Sequence, residues 1–438
     1  MSEQMAGFLH WTLTFDATGD ALGDLPEILV RELEGAALTD LIVFSHGWNN
    51  STAKAQELYK SFFEELRKVM TQRAALTPAG VKVGTVGVIW PSMRWPDEAA
   101  PARVGGAASL AESPSDEALV KDLLDAYDAP EQQQAIGELA VLLKERPRDM
   151  QALARFQHLM ETLVAQPDPA SALEDNGEVA LLTDQPEVVF RRLAAAAPSP
   201  RRQGGAGVGD VFHSLWNGAK EALRQTTYWE MKNRAGVVGQ RGLGPVITRI
   251  HSAHPTLRVH LVGHSFGARL VSFALSGLPT EFAGAGSPVK SLMLLQGAFS
   301  HFAFAEKLPF DRDRAGALAG MSSRVDGPIM VSHSLLDTAV GKLYPLSSIA
   351  GRSDAAGLDE ALYRWGAMGH DGAQAVPADN LRLGPVGQAY PFGAGRFVNL
   401  DGNRIITKGG PPSGAHSDIV HPEIAWALMA GARLTTAA

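Results

Sequence analysis

The sequence predicts an α/β protein: a mostly parallel central sheet with helices on both faces and a helical cap insertion. Short apolar runs such as Leu41-Ile42-Val43-Phe44 have the character of buried parallel strands. Between such runs lie segments whose apolar residues recur at three- and four-residue spacing, as amphipathic helices require. One long interval, Asp97–Gly209, contains helical patterns but no strand, and it falls between core elements.

Taken in order, Phe8–Asp16 reads as the first strand and Leu25–Leu33 as a short helix. Leu41–Phe44 is the next strand. Ala55, Leu58, Tyr59, Phe62, Leu66, Val69 and Met70 then mark the buried face of a helix. Val83–Trp90 is a strand stopped by Pro91. Within the insertion, Ile136, Leu139, Leu142 and Leu143 form one apolar stripe, and Met150, Leu153, Phe156, Leu159, Met160 and Leu163 form another. Arg146-Pro147-Arg148-Asp149 supplies the turn between them, and Pro198–Gly205 has the composition of a linker. Alternation resumes with helices Val211–Arg234 and Pro245–His251, strand Val259–Val262 and a helix from Phe266 to about Leu275. Strands Ser291–Leu295, Pro328–Ser332 and Phe397–Leu400 and the helix Ile424–Ala432 complete the chain. The expected division is a core of 1–96 and 210–438 with a cap or lid of 97–209.

Composition narrows the function classes. The chain has 438 residues, 45% of them hydrophobic and 20% charged, and a formal net charge of −8. That charge disfavours a nucleic-acid partner, which calls for a basic surface. Zero cysteines exclude a disulfide framework, a thiolate zinc site and a cysteine nucleophile. The start Met1-Ser2-Glu3-Gln4-Met5 lacks the basic flank of a signal peptide, and no apolar run approaches the ~20 residues of a membrane span. A cytoplasmic protein without integral membrane association is the expectation; oligomeric state stays open. The histidines show no H-x-x-x-H helix spacing, and Gly239–Gly244 does not follow a strand into a helix as a nucleotide fingerprint would. No metal and no cofactor are expected.

The chemistry is concentrated at Gly263-His264-Ser265-Phe266-Gly267. A serine leaving a strand for a helix through a very tight turn is held with its hydroxyl exposed, and glycines two residues either side avoid collision. Strand Val259–Val262 and helix Ala268–Ala274 supply that context, so Ser265 is the candidate nucleophile. A serine hydroxyl needs a base, an orienting acid and an oxyanion pocket. Ser45-His46-Gly47-Trp48-Asn49-Asn50 follows a buried strand, and a His-Gly pair there lets the chain turn a backbone N–H toward the reacting oxygen. Trp48 and Phe266 are the candidate oxyanion donors, with no proton transfer assigned to His46. Asp337, in the loop after strand Pro328–Ser332, is the candidate acid, with Asp354 and Asp371 as alternatives. His416, after the loop Gly409–Gly414, is the candidate base ahead of His421; His333 reads as structural. His264, Asn49 and Trp90 are candidate substrate-contacting residues.

With these motifs the chain resembles the α/β-hydrolase superfamily, and within it a bacterial serine-esterase-like branch with His-Gly-aromatic-Asn-Asn, here His46–Asn50. The resemblance covers about Phe8–Ser92 and Val211 to the end. It implies a central sheet of roughly eight strands, an ester- or amide-type substrate, a covalent acyl-enzyme, no cofactor, and the triad and oxyanion donors above. The long loop Gly341–Gly395 departs from a minimal hydrolase. The expected substrate is a small-molecule or lipid ester. A lipase-like enzyme, with Trp48, Trp90, Trp95 and the insertion lining an acyl site, is the alternative within the class. A non-catalytic interaction protein using the insertion as its partner surface is the alternative outside it.

Overall fold

The computed structural model describes residues 1–48, 50–92, 116–127, 129–163, 185–196, 208–343, 363–364, 366–410 and 413–436. Among the described residues nine strands form one sheet: β1 Glu3–Met5, β2 Phe8–Thr14, β3 Asp40–Ser45, β4 Val83–Ile89, β5 Arg258–His264, β6 Val289–Leu295, β7 Ile329–His333, β8 Ala378–Arg382 and β9 Phe397–Asp401. Their order is β1-β2-β4-β3-β5-β6-β7-β9-β8. Only β1 pairs antiparallel, with β2; every other neighbour is parallel. Sequence patterning finds seven of these strands. It misses β1, a three-residue edge, and β8, whose Ala-Asp-Asn-Leu-Arg is half-buried at the other edge and lacks an apolar run.

The strand order decides where a site forms. After β3 the chain crosses through helix Thr52–Gln72 to β4 on one side, whereas after β5 it crosses through helix Phe266–Ala274 to β6 on the other. Adjacent parallel strands whose connections diverge open a crevice at their carboxyl ends. β3 and β5 are such a pair, in register from Asp40↔Arg258 to Ser45↔Gly263. Ser45-His46-Gly47 and His264-Ser265 therefore leave the sheet side by side.

Apolar side chains cover both faces. On one, helices Leu25–Ala36, Gly244–Ala253 and Phe266–Ala274 pack over Leu41, Val43, Val86, Val259 and Leu261. On the other, Tyr59, Phe62, Phe63 and Leu66 of helix Thr52–Gln72 and Trp426 and Leu428 of helix Pro422–Gly431 cover Ile42, Phe44 and Val262. One buried polar set within the sheet is satisfied internally. Asp40 Oδ1 accepts from His260 Nε2 at 2.9 Å and from Arg258 Nε at 2.8 Å, and the Ser291 hydroxyl donates to His260 Nδ1 at 2.9 Å. Asp40, His260 and Ser291 have no solvent exposure.

Between β4 and β5 lie helices Asp116–Ala126, Pro130–Glu145, Met150–Leu163, Pro186–Ala196 and Val208–Val237. Phe156 meets Phe190 and Trp216 edge-on, with centroids 6.1 and 5.5 Å apart. The Trp216 N–H donates to Pro147 O at 2.9 Å. Arg146 anchors the turn after Glu145, donating to Asp116 and Asn217 at 3.2 Å. The helix expected over Val211–Arg234 runs from Val208, so position 209, taken as the insertion's end, lies inside it. It continues through a π-turn, Val238–Leu243, into Gly244–Ala253. The Gly-rich segment is thus helical and closely packed: a Cβ at Gly239 would come within 2.1 Å of Leu270 O. The linker expected at Pro198–Gly205 and residue Trp95 lie outside the described residues. Among the described residues no helix is long and apolar enough to cross a membrane.

Candidate active site

Ser265 sits at φ 57° and ψ −123°, a conformation that an L-residue adopts only when its surroundings impose it. The imposition is visible. Ser265 N–H donates to Leu295 O at 3.0 Å, while Ser265 O accepts from Ala268 and Ala298 N–H at 3.1 and 3.3 Å. A Cβ at Gly263 would come within 2.3 Å of Gly267 O, and one at Gly267 within 2.1 Å of Ser45 O. Both glycines are therefore dictated by the turn's close approaches.

His416 Nδ1 lies 2.8 Å from Asp337 Oδ2, and its Nε2 lies 2.8 Å from Ser265 Oγ. An ionised carboxylate only accepts, so Nδ1 carries the proton and Nε2 is left to accept the serine hydroxyl. Asp337 is wholly buried. Its Oδ2 also accepts from Gln296 Nε2 at 3.0 Å, and its Oδ1 accepts from Val340 N–H at 3.2 Å. Gln296 is a residue that the sequence reading passed over. It follows β6 with φ 46°, is fully buried, and accepts from Ser332 Oγ at 3.1 Å. Its trace in the sequence is a lone amide, Leu295-Gln296-Gly297, where a buried strand ends.

The acid and base loops are stitched together. Asp337 and Gly414 form an antiparallel bridge, Ala415 N–H donates to Leu336 O at 2.9 Å, and Ala339 N–H donates to Ser413 O at 3.2 Å. This pairing brings together residues 79 positions apart. His264 Nε2–H then donates to His416 O at 2.9 Å. Burial lowers the His264 pKa to about 3, and the neighbouring His416 adds to that effect, so His264 stays neutral.

Gly47 lies against the nucleophile: a Cβ there would be 2.5 Å from Ser265 Cβ and 3.1 Å from its Oγ. Gly47 O accepts from His46 Nδ1–H at 2.8 Å and from Asn50 Nδ2 at 3.2 Å. Because carbonyl and N–H of one trans peptide point in opposite directions, holding this carbonyl also fixes the direction of the Trp48 N–H. The His46 ring is buried, stacks on Trp90 with centroids 5.6 Å apart, and has its pKa lowered by burial to about 4. Phe266, the other expected oxyanion donor, is the first residue of its helix, and its ring lies 6.1 Å from that of Trp48. Gly47→Ala is expected to push Ser265 off its position. Under the hydrolase expectation from the sequence, Ser265-dependent ester hydrolysis should fall at least about a hundredfold, the scale of a lost oxyanion contact. Near-normal rates in a folded Gly47→Ala protein contradict that placement.

Compared with known proteins, the chain matches no family model, no curated protein and no solved structure.

The remaining expectations divide. His264 and Trp90 are buried, and each donates to backbone of the site, Trp90 Nε1–H to His46 O at 3.0 Å. They brace the loops through these bonds. Asn49 lies outside the described residues, as does Asp354. Asp371 is engaged elsewhere, accepting from His301 Nδ1 at 2.8 Å. His421 Nε2 lies 2.9 Å from Asp418 Oδ1. Asp418 Oδ2 accepts from the Thr407 and Lys408 N–H groups, so it ties down the loop before His416.

Proposed function

We propose that this chain is a serine hydrolase of the α/β-hydrolase type that cleaves a carboxylic ester through a covalent acyl-enzyme. The observation that carries the reading is the hydrogen-bonded line Ser265 Oγ–His416–Asp337, built on a strained serine at the carboxyl end of β5. In this reading Ser265 Oγ attacks the ester carbonyl carbon while His416 Nε2 takes its proton. The carbonyl oxygen becomes an oxyanion beside the Trp48 and Phe266 N–H groups. Collapse breaks the bond to the alcohol, which leaves with the proton from His416. Water then attacks the acyl-serine, His416 taking its proton and returning one to Ser265, and the carboxylic acid departs. Asp337 keeps Nδ1 protonated and stabilises the imidazolium between transfers. The reading needs no cofactor, and it makes the helices between residues 97 and 209 a cap over the reacting groups.

A fluorophosphonate probe tests it directly. Ser265 is the expected site of phosphonylation by peptide mapping, with Ser265→Ala unlabelled. A folded protein that takes up no label, or takes it elsewhere, overturns the assignment.

A further inference from the structure

Helix Val208–Val237 carries a second set of polar side chains into the same region. Glu230, Asn233 and Arg234 stand at i, i+3 and i+4, on one helix face, and all are buried. Arg234 Nη2 lies 3.3 Å from Glu230 Oε1, and Arg234 Nη1 donates to Pro91 O at 3.2 Å. Pro91 follows Trp90, the indole stacked on His46. Within the same helix segment, Lys232 O accepts from Arg269 Nε at 2.8 Å. Arg269 is one helical turn beyond Ser265, about 6 Å of rise. The cluster is thus tied to both elements that border the nucleophile. Tyr127, following helix Asp116–Ala126, completes it. Burial raises the Tyr127 phenol well above its ordinary pKa, with Glu230 adding to the rise and Arg234 opposing it.

Four atoms of Tyr127, Glu230 and Asn233 have no hydrogen-bond partner among the described residues: Tyr127 OH, Glu230 Oε2, Asn233 Nδ2 and Asn233 Oδ1. Asn233 is 6% exposed and Tyr127 2%, so bulk water does not serve them. Folded proteins pair nearly all such atoms, so an amide with neither end paired calls for a partner. The chemistry of that ligand follows from the set. Glu230 is already paired with Arg234 through its other oxygen, so Oε2 is left as an acceptor and not as a free charge. Glu230 Oε2 and Asn233 Oδ1 accept, Asn233 Nδ2 donates, and the phenol does either. Neighbouring hydroxyl groups, each both donor and acceptor, match this pattern; a hydrocarbon chain would leave all four atoms unpaired. We propose that Tyr127, Glu230 and Asn233 form a subsite for a neutral, hydroxyl-bearing group, and that the substrate is an ester of a polyol or sugar. The inference rests on the serine-hydrolase reading and narrows its substrate class.

The test compares a monoacetylated methyl glucoside with cyclohexyl acetate, using the full chain. Wild type is expected to favour the sugar ester by at least about tenfold in kcat/KM. Asn233→Leu, of similar size but apolar, should lower that ratio about tenfold, equivalent to about 1.4 kcal/mol. Tyr127→Phe removes only a hydroxyl and should move the ratio in the same direction, and it serves if Asn233→Leu does not fold. Wild type without preference, or substitutions that lower both rates in proportion, overturns the subsite. Fluorophosphonate labelling of the same samples separates the two levels. A labelled Ser265 without sugar preference removes the subsite alone; an unlabelled Ser265 removes the hydrolase reading and the subsite with it.

Discussion

Asp337→Asn is expected to reduce the proposed ester hydrolysis by about four orders of magnitude while the protein stays folded. The carboxylate oxygen that faces His416 Nδ1 also accepts from Gln296 Nε2. An asparagine with its NH2 at that position, the other choice being to set the NH2 against the Val340 N–H, faces His416 with a donor. Nδ1 would then become an acceptor, the proton would move to Nε2, and Nε2 could no longer accept from Ser265. The size of the loss reflects a wrong tautomer with little change of shape. It is read as kcat on a short-chain ester beside an unchanged circular-dichroism spectrum and a melting temperature within a few degrees. A folded variant that keeps more than about a tenth of the activity removes Asp337 from the mechanism. Asp371 is then no substitute, since His301 holds it.

Stability is expected to fall steeply as pH drops below 6.5. Burial holds His10 and His46 neutral with pKa values lowered to about 4, and His264 with one of about 3. In the unfolded chain each returns to about 6.5. Between these limits the unfolded state binds protons that the native state refuses, so acid favours unfolding. Their contribution is complete above pH 6.5 and declines as pH falls toward the native values. The loss is about 1.4 kcal/mol per pH unit for each histidine, or on the order of 2 kcal/mol each by pH 5. Three together approach the whole stability of an ordinary domain, about 5–15 kcal/mol. Urea midpoints at pH 7.5, 6 and 5 measure this. His10→Gln, which leaves the proposed chemistry untouched, should flatten the slope by about a third. A midpoint that stays fixed from pH 7.5 to 5 refutes the assignment of three neutral buried histidines.

The parts of this molecule legible in the sequence are those set by local rules. Strands β3 and β5 announce themselves as buried runs, and Gly263 and Gly267 are demanded by backbone approaches within a few residues of Ser265 or across one strand pair. His416 was legible as a loop histidine in the last segment. Asp337 was distinguishable from Asp354 and Asp371 only by strand order. What brings it to His416 is loop pairing at Leu336–Ala415 and Asp337–Gly414, which no local pattern encodes. Gln296 was missed for the same reason: its role is defined by a partner 41 residues away. His264 and Trp90 drew attention as polar or aromatic residues near the motifs, but their N–H groups serve neighbouring backbone carbonyls. Sequence distance hides such contacts, and so does the ambiguity of a histidine that can brace as readily as it can react.

Ser291, His260 and Asp40 also form a serine–histidine–aspartate line, with both separations at 2.9 Å. It lies inside the sheet, with the serine within a strand and free of the positive φ seen at Ser265, and with no solvent exposure at any member. The chain therefore carries its own internal control. Two constellations that a distance criterion alone would score alike differ in backbone strain, in access and in which ring nitrogen faces the carboxylate. A reactivity probe applied to this one protein compares a triad at a crevice with its entombed counterpart. Modification of one serine and silence at the other would weigh what surroundings add to a set of three side chains.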